Sequence, residues 1–284
     1  MWFHLRLLEK CNLHCQSCYA RMNDRKVMMD FSLFQNVLHI IQQVAQPASQ
    51  PVIYLSGGEP LLHHDFLRIL NYGVQKIGRI SILTNGILIP DFIEHLIPHR
   101  NHLNVQVSLD GDQATHDAIR SQGSYQRAVD ALYILQQHKI IHWISYTVSQ
   151  QNKHCYDSIL RMAQKTDSFS NNVTPYVGDP AQMLDYFEWK EFKYRYEKSS
   201  RQMNFAESHS PRSCGWTYQC GSFFGGVTVN PDGTLAGCAR INNLKGNYTE
   251  MNRYFLSHPP AMNQMCMQQK WGEISNLELL SRLE

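Results

Sequence analysis

No stretch of the 284-residue chain approaches the roughly 20 consecutive apolar residues that a bilayer span requires, which argues against an integral membrane protein. Neither sign of charge is in real excess. Lys and Arg number 26 against 24 Asp and Glu, and a formal net charge of +2 gives no electrostatic case for wrapping nucleic acid. Met1 to Lys10 lacks both a long apolar core and a small-residue cleavage site, so no export signal is read there. Internal repeats and low-complexity tracts are missing, and 43% hydrophobic with 18% charged residues excludes disordered and collagen-like chains. A cytoplasmic chain with a real core, acting on small or peptide substrates, is the expectation.

Without export, the eight cysteines are expected as thiols or metal ligands rather than disulfides. They fall into three sets: Cys11, Cys15 and Cys18 close together, Cys214, Cys220, Cys238 and Cys266 in the C-terminal quarter, and Cys155 alone. Three thiolates can hold three irons of a [4Fe-4S] cluster and leave the fourth open, whereas four can close a cluster. Zinc and scattered buried thiols are the alternatives, although a structural zinc normally takes four protein ligands.

From Phe3 onward, apolar β-type runs alternate with helical-period runs, the pattern of a mostly parallel sheet covered by helices. Strands are predicted at about Phe3 to Leu8, Val52 to Ser56, Arg79 to Leu83, Leu103 to Val107, Ile140 to Val148 and Val173 to Val177. Helices are predicted between them, the first with Phe34, Val37, Leu38, Ile41 and Val44 on one face and Asp30 or Ser32 as its cap, and a short one at Phe92 to Ile97. These six β/α units predict an α/β fold, a partial (β/α)6 TIM-like barrel, over residues 1–198. The polar, glycine-bearing motifs each follow a strand's C-terminal end, the edge where such barrels place their chemistry. Leu184 to Tyr196 reads as an aromatic-rich packing helix, Ser199 to Arg212 as a linker, and Val227 to Ala236 as a hairpin around Asn230-Pro231-Asp232-Gly233. Residues 199–284 are thus expected to hold a linker and a small second module.

Cys11-Asn12-Leu13-His14-Cys15-Gln16-Ser17-Cys18 is a CxxxCxxC motif, followed by Gly57-Gly58-Glu59-Pro60, Thr84-Asn85-Gly86, Ser108-Leu109-Asp110-Gly111 and His116 to Arg120. In this order the motifs resemble those of the radical S-adenosylmethionine enzymes, across the first two thirds of the chain. The resemblance implies that Cys11, Cys15 and Cys18 ligate a [4Fe-4S] cluster whose open iron is chelated by the methionine moiety of S-adenosylmethionine. Reductive cleavage of that sulfonium gives a 5′-deoxyadenosyl radical that abstracts a substrate hydrogen. It further implies cofactor-binding roles for Gly57, Gly58 and Glu59, with Gly57 and Gly58 letting the backbone approach the ligand closely, Glu59 accepting from the methionine ammonium, Ser108 and Arg120 near the ribose and methionine carboxylate, and Tyr19 bordering the adenine. Asp110, His116 and Asp117 are read equally as loop or capping residues and as substrate contacts.

Cys220-Gly221, the Val-Asn-Pro-Asp-Gly turn and Cys238 resemble the start of a SPASM module, or of its shorter form, twitch. Only Cys266 remains downstream, so one auxiliary [4Fe-4S] cluster is implied, held by Cys214, Cys220, Cys238 and Cys266, unless Cys214 or Cys266 is free and an iron stays open. Cys155 is read as a small buried residue or a hydrogen-atom donor. The resemblance implies modification of a ribosomally made peptide or protein, with a flavodoxin- or ferredoxin-type electron donor and a separate leader-peptide-binding protein as partners. The alternative is a twitch-type dehydrogenase or epimerase acting on a small metabolite.

Overall fold

The computed structural model describes residues 2–16, 18, 27–45, 51–176, 179–197, 203–205, 226–236 and 249. Its elements run β1 (Trp2–Arg6), α1 (Phe31–Val44), β2 (Val52–Ser56), α2 (Phe66–Ile77), β3 (Ile80–Thr84), α3 (Ile89–Leu96), β4 (Leu103–Ser108) and α4 (Gln113–Ile119). They continue as α5 (Ser124–Gln137), β5 (Ile141–Val148), α6 (Tyr156–Lys165), β6 (Ser170–Pro175), α7 (Tyr186–Glu197), β7 (Met203–Phe205), β8 (Gly226–Val229) and β9 (Leu235–Ala236). One sheet takes all nine strands in the order β7-β6-β5-β4-β3-β2-β1-β8-β9. Every pairing is parallel except that between β8 and β9.

Strands that follow one another both in sequence and across the sheet need crossovers of one hand, which put the connecting helices on one face. Strand alternation explains which face that is. Phe3, Leu5, Ile53, Leu55, Ile80, Ile82, Val105, Val107, Ile144 and Val148 share it and are fully buried with Phe34, Val37, Leu38 and Ile41 of α1. Each such side chain contributes roughly 1.5–3 kcal/mol by leaving water. Asp30 starts α1, its carboxylate accepting from the Leu33 amide at 2.7 Å and from the Ser32 hydroxyl at 2.6 Å.

The opposite face is polar. Register aligns Thr228, His4, Tyr54, Ser81 and Asn104 in one row and Ser108, Ser145 and Asn172 in another. Arg6, Ser56, Gln106 and Thr147 lie on the same side. Tyr54, Ser108, Ser145, Thr147, Asn172 and Thr174 are only half-buried, so this face borders space that the described helices do not fill.

Three expectations shift. The sixth strand begins at Ser170 rather than Val173, because the fully buried Asn171 replaces an apolar contact with a hydrogen bond from the Ile144 amide to its Oδ1 at 3.1 Å. Helix α3 begins at Ile89 rather than Phe92, Pro90 standing in its first turn where the missing N–H costs nothing. Ser199 to Arg212, read as a linker, contains β7, which extends the sheet beyond β6. The hairpin forms at the expected residues, with Gly233 at a φ of +82° and Asp232 accepting from the Thr234 amide. Its first strand pairs in parallel with β1, so the chain returns to the open side of the first strand. In α7, Trp189 is fully buried, Phe192 nearly so and Tyr194 exposed; Tyr156 of α6 stacks on Tyr196. No described helix is long and apolar enough to cross a membrane.

Removing the α1 cap tests the local argument. Asp30→Ala is expected to cost about 1 kcal/mol of unfolding free energy, read as a shift of the urea midpoint at constant slope.

Candidate active site

The C-terminal ends of β1 to β4 gather the motifs. After β1 the chain runs beside the Gly57-Gly58 turn that follows β2, main chain against main chain. The Gly58 amide donates to Leu8 O at 2.7 Å and the Glu59 amide to Lys10 O at 3.0 Å. A Cβ on Gly58 would lie 2.1 Å from Lys10 O, and one on Gly57 2.3 Å from Leu8 O, where φ is also +145°. These glycines therefore admit the peptide that leads into Cys11. The close approach seen at these two glycines is that of the chain itself.

Cys11, Cys15 and Cys18 are half-buried on the loop that follows. The loop is tied down by Gln16 N–H to Ile119 O at 2.8 Å and by Glu9 N–H to Val27 O at 3.1 Å. Burial pushes the Cys11 thiol up to about 11 and raises that of Cys15 as well. Metal ligation must therefore displace their protons, which a bound cation makes favourable. Among the described residues no three His, Cys, Asp or Glu side chains converge as they would on a single metal ion. Three thiols on one loop, each able as a thiolate to meet a different iron, are a donor set that fits a [4Fe-4S] cluster with one iron left open.

Glu59 is fully buried. Its Oε1 accepts from Thr84 Oγ1 at 2.8 Å and from the Leu61 amide at 3.3 Å, and Oε2 from the Asn85 amide at 2.9 Å. Burial raises its pKa to about 7 despite those donors. Glu59 is thus the cap of the 3-10 turn Pro60–Leu62 and a tie between β2 and β3. Asn85 continues the network, its side-chain nitrogen 2.7 Å from Asn12 Oδ1 and 3.8 Å from Cys11 Sγ.

A second network centres on Asp110. Its Oδ2 takes Arg120 Nε at 2.6 Å, its Oδ1 takes the Thr147 amide at 3.1 Å, and its own amide donates to His116 Nδ1 at 3.1 Å. An imidazole that accepts at Nδ1 carries its proton on Nε2, and burial, then Arg120, lower its pKa to about 4, so His116 is neutral. Arg120 reaches back towards the cysteine loop, Nη1 lying 4.0 Å from Cys15 Sγ. Asp117 accepts from the Gly123 and Tyr125 amides at 2.9 and 2.8 Å, ordering the start of α5. Asp117 and His116 thus serve the chain rather than reaching out of it.

Ser108 stands half-buried at the end of β4 on the polar face. Tyr19, Cys214, Cys220, Cys238 and Cys266 lie outside the described residues. Cys155 is buried, its Sγ 3.4 Å from Thr115 Oγ1. The roles of Asn12, Thr84 and Asn85 were not legible in advance. The available signal was Thr84-Asn85-Gly86 at a strand's C-terminal end.

A family model described as the radical SAM superfamily matches residues 5–163, over half of the chain, and the chain belongs to that superfamily. Fe-coproporphyrin III synthase of Methanosarcina barkeri is 32% identical over 147 residues, 51% of this chain and 36% of that protein. Mycofactocin maturase MftC of Mycolicibacterium smegmatis is 30% identical over 159 residues, 55% of this chain and 39% of that protein. The chain therefore spans little more than a third of either relative's length. In fold it resembles Streptococcus suis SuiB bound to precursor peptide SuiA, with a TM-score of 0.74 at 14% identity, covering 91% of this chain and 65% of that one. The likeness to anSMEcpe with bound AdoMet has a TM-score of 0.72 at 16% identity, over 92% and 81% of the two chains.

Two outcomes follow from the geometry. Gly58→Ala is expected to displace Lys10 and cut iron incorporation severalfold, measured against protein concentration after anaerobic reconstitution. Glu59 binds its proton more tightly folded than unfolded, with a folded pKa of about 7. Its contribution to stability is therefore full below the ordinary carboxylate pKa and declines as pH rises towards and through 7. Melting curves of the metal-free protein between pH 4.5 and 7.5 should show that decline, and Glu59→Gln should flatten it.

Proposed function

We propose that the chain is a radical S-adenosylmethionine enzyme that abstracts hydrogen from a ribosomally made peptide or protein. When bound, the cluster and S-adenosylmethionine supply the electron and the sulfonium from which a 5′-deoxyadenosyl radical forms. Cys11, Cys15 and Cys18 would hold the cluster, leaving one iron open. Glu59 takes three donors against about four acceptor directions on a carboxylate, which leaves one for the methionine ammonium once the packing that buries it opens to the cofactor. Arg120, held at Nε by Asp110, keeps other N–H groups for the methionine carboxylate. Ser108 is assigned to the ribose, Gly57 and Gly58 to shaping the wall that faces the cofactor, and Tyr19 to the adenine.

The observation that carries the peptide reading is the polar sheet face. Its described strand residues include one guanidinium, that of Arg6, and no lysine or carboxylate; the rest are amides, hydroxyls, His4 and a few apolar side chains. Burial, then Arg6, lower the His4 pKa to about 4, so it too is neutral. Neutral donors and acceptors suit peptide groups, whereas a polyanionic metabolite calls for several cations. The names of relatives add weight on both sides: a maturation protein and a maturase on one, heme synthases and Fe-coproporphyrin III synthase on the other. Those tetrapyrrole relatives make modification of a small metabolite the second reading.

The same proposal reads residues 1–198 as a partial (β/α)6 barrel whose lumen is the polar face, and residues 199–284 as a twitch-like module. Cys214, Cys220, Cys238 and Cys266 would close one auxiliary [4Fe-4S] cluster there. A cytoplasmic setting, a flavodoxin- or ferredoxin-type donor and a separate leader-binding protein complete it.

The reconstituted, reduced protein should release 5′-deoxyadenosine from S-adenosylmethionine, and the variant with Cys11, Cys15 and Cys18 all changed to Ala should release none. Iron should fall from about eight per chain to about four in that variant, and likewise in Cys238→Ala. A short peptide encoded beside the gene should gain a mass change only in cells that carry the intact enzyme; deuterium passing instead from a labelled metabolite into 5′-deoxyadenosine would favour the second reading.

A further inference from the structure

The side chain of Asn85 faces the cysteine loop from a strand end that the proposed cofactor contacts do not use. Its backbone N–H is engaged by Glu59 Oε2 at 2.9 Å, and its Oδ1 accepts from the Ile87 amide at 3.0 Å. An amide nitrogen cannot accept that bond, so the orientation of the group is settled: oxygen towards Ile87, NH2 towards the loop. That nitrogen lies 2.7 Å from Asn12 Oδ1 and 3.8 Å from Cys11 Sγ, with the oxygen and the sulfur 3.8 Å from each other, so both acceptors stand on one side of it. The turn beneath is held as well, since the Gly86 amide donates to Thr84 Oγ1 at 3.0 Å with Gly86 at a φ of +86°. Asn85 is itself only 8% exposed, so water competes weakly for its donors.

Resting on the reading that Cys11 is a cluster ligand, we propose that Asn85 is a positioning residue that raises the reduction potential of that cluster through an N–H···S bond to Cys11. Reduction adds negative charge that is shared by the ligating sulfurs, and a donor fixed against one of them favours the reduced state. The Leu13 amide reaches the same sulfur at 3.4 Å, but it belongs to the loop and moves with it. Asn85 is the donor supplied from the end of β3, and the Ile87 amide, bound to its Oδ1, keeps its NH2 turned to the loop.

The test is an anaerobic redox titration of the reconstituted full chain, following the reduced cluster by electron paramagnetic resonance, with the remaining cysteines unchanged. Asn85→Ala removes the donor without adding charge. It is expected to retain iron and to lower the reduced-to-oxidised ratio at a fixed poise by at least about threefold, where tenfold corresponds to 59 mV for a one-electron couple. Asn85→Asp keeps the acceptor for Ile87 and serves if the alanine variant does not fold; it should shift the same way. A parent midpoint in either folded, iron-loaded variant overturns the inference, as does iron loss without a shift in the iron that remains. A parent protein that takes up no cluster at Cys11, Cys15 and Cys18 removes the functional reading itself, an outcome distinct from an unshifted midpoint.

Discussion

The site depends on two stretches of main chain lying closer than side chains permit. The Gly58 and Glu59 amides donate to the carbonyls of Leu8 and Lys10 in an arrangement that a Cβ at Gly57 or Gly58 would obstruct at about 2 Å. That contact carries the register between β1 and β2 past the sheet edge. It sets where Cys11 emerges and where Glu59 turns inward. The requirement is steric, so no compensating polar group can replace it.

Above that contact, charged groups are buried only where the chain surrounds them with partners. Glu59 joins β2 to β3, and Asp110 joins β4 to the Thr147 amide in β5 and to Arg120 beyond α4. An unmatched buried carboxylate is costly, whereas one with several donors adds stiffness. Both networks end at the cysteine loop, one through Asn85 and Asn12, the other through Arg120. The cysteines are therefore held from two sides by residues far from them in sequence.

The polar and apolar faces of the sheet divide the work. Apolar residues in alternation hold the helices, and the residues between them line a face that none of the described crossover helices covers. A sheet with both faces covered would read as continuous apolar strands. Here His4, Tyr54, Ser81, Asn104 and Gln106 interrupt the runs of β1 to β4, and that interruption is the sequence trace of a face packed differently from the other.

Strand and helix order, the Asp30 cap and the hairpin turn at Asn230 to Gly233 were legible in the sequence, because periodicity and turn chemistry are local. The motif order was equally plain, and the family match to residues 5–163 rests on it. What sequence did not disclose was long-range pairing. That β8 lies beside β1, that β7 extends β6, that Asn171 is buried by bonding to β5 and that Asn85 meets Asn12 and Cys11 each join residues distant in the chain. Even the glycines show the division: sequence marked Gly57 and Gly58 as places of close approach, and the tertiary structure decided that what approaches is the backbone of Leu8 to Lys10. A missing Cβ is a local fact, but what fills its space depends on how distant segments pack.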